Sequence, residues 1–196
     1  MKQPITRELY SYWSRLKGAR LAPEHNDIDL LAIRHLLADV FTIQIDRLRQ
    51  FPFRMCGTRI NAYWLSEQKG RSFLDLWEAE DRRRVSSAIA AVLDGVEPLV
   101  AGAHIDAHES AALDMELLLL PLRHFGKTHA LMLGALTPAQ DPAWLGRRRA
   151  PALALRSMRI VHASELRMPT LRHADAPGPP NLVIHEGGKA GESARL

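Results

Sequence analysis

A single cysteine, Cys56, stands in the 196 residues, and one thiol cannot close an intramolecular disulfide. That scarcity fits a reducing compartment. Long apolar runs are missing too. The longest, Ala130–Leu136, has seven residues, against the roughly 20 that a bilayer-spanning helix needs. The N-terminal stretch MKQPITRELYSYW has no apolar core of the signal-peptide kind, so the sequence reads as cytoplasmic, with no membrane as partner. No Gly-rich phosphate loop, nucleophile elbow or His-Glu-x-x-His pattern occurs. No catalytic residue is therefore expected, and the chain reads as a non-enzyme. There is no internal repeat.

What is present is the composition of an ordinary soluble protein, 46% hydrophobic and 24% charged, in a length that suits one domain with extensions. The formal charge of +4 suggests nucleic acid until its distribution is read. Residues 1–140 carry 17 Lys/Arg and 17 Asp/Glu, and after residue 140 nine positive residues face five negative ones. A nucleic-acid-binding core normally carries its own basic face. This core is balanced, and nucleic acid is not the expected partner.

Thr6 is placed to cap a first helix in which Leu9, Trp13 and Leu16 form an apolar stripe with Tyr12 beside it, and Gly18 supplies a stop. Pro23 lies in a loop, and Asp27 or Asp29 is placed to cap a short helix over Leu30–Leu37. Val40–Asp46 alternates as a half-buried strand does, with Phe41, Ile43 and Ile45 inward and Thr42, Gln44 and Asp46 outward. A turn over Arg47–Gln50 leads into a second strand, with Phe51, Phe53 and Met55 pointing one way and Arg54 and Cys56 the other. Gly57, a short helix with Ile60, Tyr63 and Trp64, then Gly70 and a helical turn from Ser72 to Trp77 follow. Glu80–Asp94 has the helical period through Val85, Ala88, Ile89, Val92 and Leu93, and Gly95 ends it.

Three strands are expected next, over about Pro98–His108, Leu113–His124 and Thr128–Thr137. In the first, Ala101, Ala103, Ile105 and Ala107 face one way and His104, Asp106 and His108 the other. Leu117–Leu120 and Ala130–Leu136 are apolar at odd and even positions alike, which requires cover on both faces of the sheet. The short helices cover one face, and the N-terminal helix or a second subunit is the natural cover for the other. Pro151–Val161 suits either a helix or a strand, and from about residue 165 Pro, Gly, His and polar residues dominate as in a disordered tail. The expected organisation is an N-terminal helix and linker over 1–26, a core over 27–140, a C-terminal extension over 141–164 and a disordered tail over 165–196.

Three blocks then carry a resemblance: LYSYWSRLKGARLAPEHNDID at 9–29, FRMCGTRINAYW at 53–64 and GRSFLDLW at 70–77. With the long helix after Asp81 and the three closing strands, they resemble the single-domain bacterial PAS proteins of the PAS_5 family over about residues 7–160. The resemblance implies an α+β PAS fold: a five-stranded antiparallel sheet in the order 2-1-5-4-3, short helices on one face and an N-terminal amphipathic helix. It also implies a sensory or regulatory role in signal transduction, exercised through contact with a signalling protein. PAS domains commonly dimerise through an N-terminal helix and the outer sheet face, so a homodimer is implied as well.

An inner ligand pocket would be walled by Phe41, Phe53, Tyr63, Trp64 and Leu76, with room left by Ala101, Ala103 and Ala107. Aromatic side chains at these spacings also fill core space. A dimer or partner interface would use Leu9, Tyr12, Trp13, Leu16, Leu118 and Met132. Arg147, Arg148 and Arg149, which adjoin Arg156 and Arg159, are candidates for an anionic partner. Arg82–Arg84 lie among Glu78, Glu80 and Asp81 and read as a solvated face. His104, Asp106 and His108 share one strand face, but Cβ atoms two residues apart are separated by roughly 6–7 Å. One strand cannot close a four-coordinate site, and no metal is expected. Cys56 lacks the Asn-Cys-Arg motif of flavin-binding light sensors and reads as a small spacer, and the 80–94 helix has no His to ligate haem. Neither cofactor is expected.

Overall fold

The computed structural model describes residues 1–106 and 112–161, apart from the side chains of Thr128 and His129. Ala107, His108 and the expected tail lie outside the described residues. The helices are α1, Pro4–Lys17; α2, Thr58–Trp64; and α3, Arg82–Gly95, with 3-10 turns at His25–Asp27 and Phe73–Leu76. The strands are β1, Val40–Gln44; β2, Phe53–Cys56; β3, Leu99–Ile105; β4, Leu113–His124; β5, Lys127–Pro138; and β6, Ala154–Ile160. They form one antiparallel sheet in the order β2-β1-β5-β4-β3-β6.

The first five strands take the expected order, and the sixth corrects the expected five-stranded sheet. Residues 154–160, in the stretch whose pattern suits helix or strand, pair with β3 from Leu99↔Ile160 to His104↔Ala154. Backbone donors and acceptors on that flank of β3 would otherwise need another partner. Leu155, opposite Ala103, enters the same apolar cluster.

Alternation sorts the sheet into two faces. Phe41, Ile43, Leu99, Ala101, Ala103, Leu117 and Leu119 join α2 and α3 in the inner cluster. Val40, Val100, Leu118, Leu120, Leu122, Leu131, Leu133 and Ala135 face outward and pack with Leu9, Tyr12 and Trp13 of α1. The doubly apolar strands are thus covered on both faces within one chain. Strand β2 departs from the expected alternation. Thr42 pairs with Met55 and Ile43 with Phe53, which makes Arg54 the extra residue of a β-bulge. One extra residue reverses the faces beyond it, so Met55 packs on the outer cluster and Cys56 on the inner.

Two local expectations are corrected. α1 begins at Pro4 with Gln3 as its N-cap, so Thr6 lies inside the first turn rather than at the cap. Over Leu30–Leu37 the chain forms turns instead of a helix, held by bonds such as Leu36 N–H to the Ile33 carbonyl at 2.8 Å. Its buried residues, Ile33 and Leu36, are three apart while Leu30 and Leu31 are exposed. That period of three belongs to tighter turns than the α-helix. α3 buries Val85, Ala88, Ile89, Val92 and Leu93, the stripe its sequence predicts.

Candidate functional site

The expected pocket residues do meet, and they meet each other. Phe41, Phe53, Tyr63, Trp64, Leu76, Ala101 and Ala103 are all buried in the inner cluster. Phe41, Phe53 and Phe73 form a ring triad with centroids 5.3–5.7 Å apart. Tyr63 lies edge-on to Trp64 at 5.9 Å and to Trp144 at 6.0 Å. A Cβ built on Gly134 of β5 would stand 2.2 Å from Phe41 Cζ, so the ring rests on bare backbone. Three aromatic participants, Phe73, Trp77 and Trp144, are absent from the sequence-derived set. Phe73 and Trp77 are four apart in GRSFLDLW, a spacing that places both on one side of a helical turn.

Polar atoms are caught in this apolar region. The Tyr63 hydroxyl, Trp77 Nε1, Trp144 Nε1 and Asp39 Oδ1 are buried and have no hydrogen-bond partner among the described residues. Asp39, at the mouth of β1, is 1% exposed. Arg59 of α2 approaches it at 3.5 Å and reaches the exposed Asp141 at 3.4 Å. Burial raises the Asp39 carboxyl to about 6; Arg59 opposes the shift and Asp141 adds to it. Burial, with Asp39 second, also raises the Tyr63 hydroxyl. Since the folded Asp39 binds its proton more tightly than the unfolded one, its contribution is greatest below the ordinary value of 3.8 and is lost as pH rises through about 6. Asp39→Asn is therefore expected to be more stable than wild type at pH 8, by on the order of 2 kcal/mol. The gap should close between about pH 6 and pH 4, as denaturant titrations across that range will read.

The expected interface residues divide between the two faces. Leu9, Tyr12, Trp13 and Leu118 converge on the outer side, with Leu16 half-buried at the margin. Met132 belongs to the inner cluster, a correction that follows from strict alternation along β5, where Leu131 and Leu133 take the outer positions. Polar ties pin α1 in place. Trp13 Nε1 donates to the Pro121 carbonyl at 2.9 Å, and the Tyr12 hydroxyl accepts from Asp29 N–H at 2.7 Å. Glu116 of β4 accepts from the N–H groups of Lys2 at 2.7 Å and Gln3 at 3.0 Å, and from the Thr6 hydroxyl. A carboxylate from β4 thus ties down the two residues that lead into α1 and the Thr6 hydroxyl of its first turn, at the helix end where the dipole favours negative charge. Burial alone would raise the Glu116 carboxyl, but the bonds from Thr6, Gln3 and Lys2 outweigh it and hold it low. No sequence spacing announces this pair, because it joins positions 110 or more residues apart.

Arg147, Arg148 and Arg149 are exposed after β5. Arg147 lines a cleft of about 550 Å³ with Trp144, Asp141 and Leu113, whereas Arg156 and Arg159 line a different groove. His104 Nδ1 lies 2.7 Å from Asp114 Oδ1 on β4, and Asp106 is exposed beyond the end of β3. Among the described residues no group of three His, Cys, Asp or Glu side chains stands close enough to hold a metal ion. The half-buried Cys56 thiol is pushed up to about 12 by burial, with Glu67 adding, which leaves little of the nucleophilic thiolate at neutral pH.

A family model described as a PAS domain matches residues 1–137. The chain is also similar to the crystal structure of the PAS domain of a protein from Colwellia psychrerythraea, at 11% identity and a TM-score of 0.40, over 55% of this chain and 95% of that one. No protein with a curated description matches. Among the described residues no helix is long and apolar enough to cross a membrane.

Proposed function

The chain belongs to the PAS domain family, whose general role is sensory and regulatory, and from that premise we propose that it is a non-enzymatic cytoplasmic regulator acting through contact with a signalling protein. The observation that carries this reading is the seating of α1. The helix spends Leu9, Tyr12 and Trp13 on its own sheet and is held there by Glu116, Pro121 and Asp29. Around it Met1, Ile5, Tyr10 and Leu16 stay only partly buried, an apolar rim that a second copy of the chain would cover. A change in how α1 seats would alter this rim and so alter what the dimer presents to its partner. A ligand could bias the change only by binding the two arrangements with different affinity.

Sedimentation tests the dimer. Wild type is expected to self-associate, and Leu16→Glu to weaken association by about tenfold or more, since a rim charge would lose its water in the interface. A wild-type monomer at every concentration, or a dimer indifferent to Leu16→Glu, would contradict the proposed interface.

A second reading, a small-molecule sensor, draws on one observation: the buried hydroxyl of Tyr63 and Nε1 of Trp77 have no hydrogen-bond partner among the described residues. Buried polar groups are normally satisfied, and an apolar or aromatic ligand with an acceptor group would satisfy them. Native mass spectrometry of freshly purified protein should then carry a stoichiometric added mass, and its absence together with the lack of any ligand-induced melting shift counts against the sensor.

A further inference from the structure

The outer face is not wholly covered by α1. Past the start of the helix a groove of about 710 Å³ opens between the segment Met1–Gln3 and β6, floored by Val100, Gly102 and His104 of β3. Among the described residues that line it the two acids are engaged: Asp114 faces His104 at 2.7 Å, and Glu116 accepts from the backbone of Lys2 and Gln3. Its cations include Lys2, Arg156 and Arg159. The stretch 141–161 holds five arginines and one acid, Asp141. The charge that distinguishes the C-terminal part of the chain is therefore partly gathered along one strand and one groove.

That strand is the edge of the sheet. Near its start the Leu155 N–H is taken by Asp81 Oδ2 at 2.6 Å. From Arg156 to Ile160 no strand pairs with its outer edge among the described residues, and Arg156, Ser157, Met158 and Arg159 are exposed. Edge strands carry charge to stop unwanted pairing, and charge of one sign makes that stop selective. A second copy of β6 would set Arg156 and Arg159 against their own kind, an unfavourable cross-strand arrangement. A strand of opposite charge meets attraction instead. Among the described residues no Phe, Tyr or Trp lines the groove, and such rings are the stacking platforms that single-stranded nucleic acid uses.

We propose that β6, at the rim of this groove, receives an extended acidic segment of a partner protein, added to the sheet as a seventh strand with its carboxylates reaching Arg156 and Arg159. Main-chain bonds to the open edge supply affinity and the alternate side chains supply selectivity. The inference rests on the protein-contact reading above and gives that partner its chemistry.

Fluorescence anisotropy with the full chain tests it, using a synthetic decapeptide of alternating Glu and Val and a counterpart with Lys in place of Glu. The acidic peptide is expected to bind, to protect the amides of 156–160 from hydrogen exchange, and to lose about tenfold or more in affinity to the double variant Arg156→Glu/Arg159→Glu. Circular dichroism should show the double variant folded, and the single variant Arg156→Glu, at an exposed side chain, should melt with wild type and still lose affinity for the acidic peptide. Equal binding of the two peptides, no binding, or protection elsewhere overturns the proposal. So does tighter, arginine-dependent binding of duplex DNA or phosphatidylglycerol vesicles. A double variant that keeps every protein the wild type retains from cell extract overturns this docking site while the protein-contact reading stands. If the wild type retains none, that reading falls, and the peptide titration still decides the groove.

Discussion

Trp13→Ala is expected to cost about 3–5 kcal/mol of unfolding free energy, the range for deleting a fully buried indole. Trp13 is 1% exposed and fits among the outer-face residues of β4 and β5. Its Nε1–H also serves the carbonyl of Pro121, so truncation removes the donor as well as the ring. A buried acceptor left unsatisfied adds about 1–3 kcal/mol. Trp13→Phe separates the two contributions, because it keeps most of the ring and loses only the N–H. Chemical denaturation should place it between wild type and Trp13→Ala. Hydrogen exchange should show the loss concentrated in α1, the element that Trp13 anchors to the sheet. A cost below about 1 kcal/mol for Trp13→Ala would mean that α1 is not seated as described.

Phe41→Ala carries the second large effect, about 3–5 kcal/mol, and it decides whether the inner region is filled. Phe41 contacts Phe53 and Phe73 through its ring and sits over Gly134 with no room for a Cβ between them. Gly134→Ala in wild type must therefore push the ring out of its place, at about 1–3 kcal/mol for overpacking. In the Phe41→Ala background the same change has no ring to displace and should cost almost nothing. The double-mutant cycle thus yields a coupling close to the whole single-mutant cost of Gly134→Ala. Additive costs would indicate slack around Phe41, as an open ligand cavity would leave.

Periodicity carried most of the architecture. The α3 stripe from Val85 to Leu93, the alternation of β3 and the doubly apolar β4 and β5 are each local patterns, and local patterns survive into the fold. What escaped was non-local or broke a period. The bulge at Arg54 reverses Met55 and Cys56 by a single inserted residue, which nothing in FPFRMCG announces. β6 is a strand because β3 has an open flank to offer, a property of the partner and not of Pro151–Val161. Met132 went to the wrong face because an uninterrupted apolar run conceals its alternation. At the site level, the aromatic set around Tyr63 was legible as a group. The Glu116 clasp on α1 and the Asp39–Arg59–Asp141 chain join residues far apart in sequence, and a single sequence holds no sign of them.

The measurement closest to the central claim is quantitative affinity capture from extract of the source organism, with the full chain as bait and Leu16→Glu beside it. Regulation through protein contact predicts at least one protein retained in near-stoichiometric amount, with its yield falling several-fold when the rim of α1 is charged. Retention of nothing above a control bait, or the same yield with Leu16→Glu, would contradict the account.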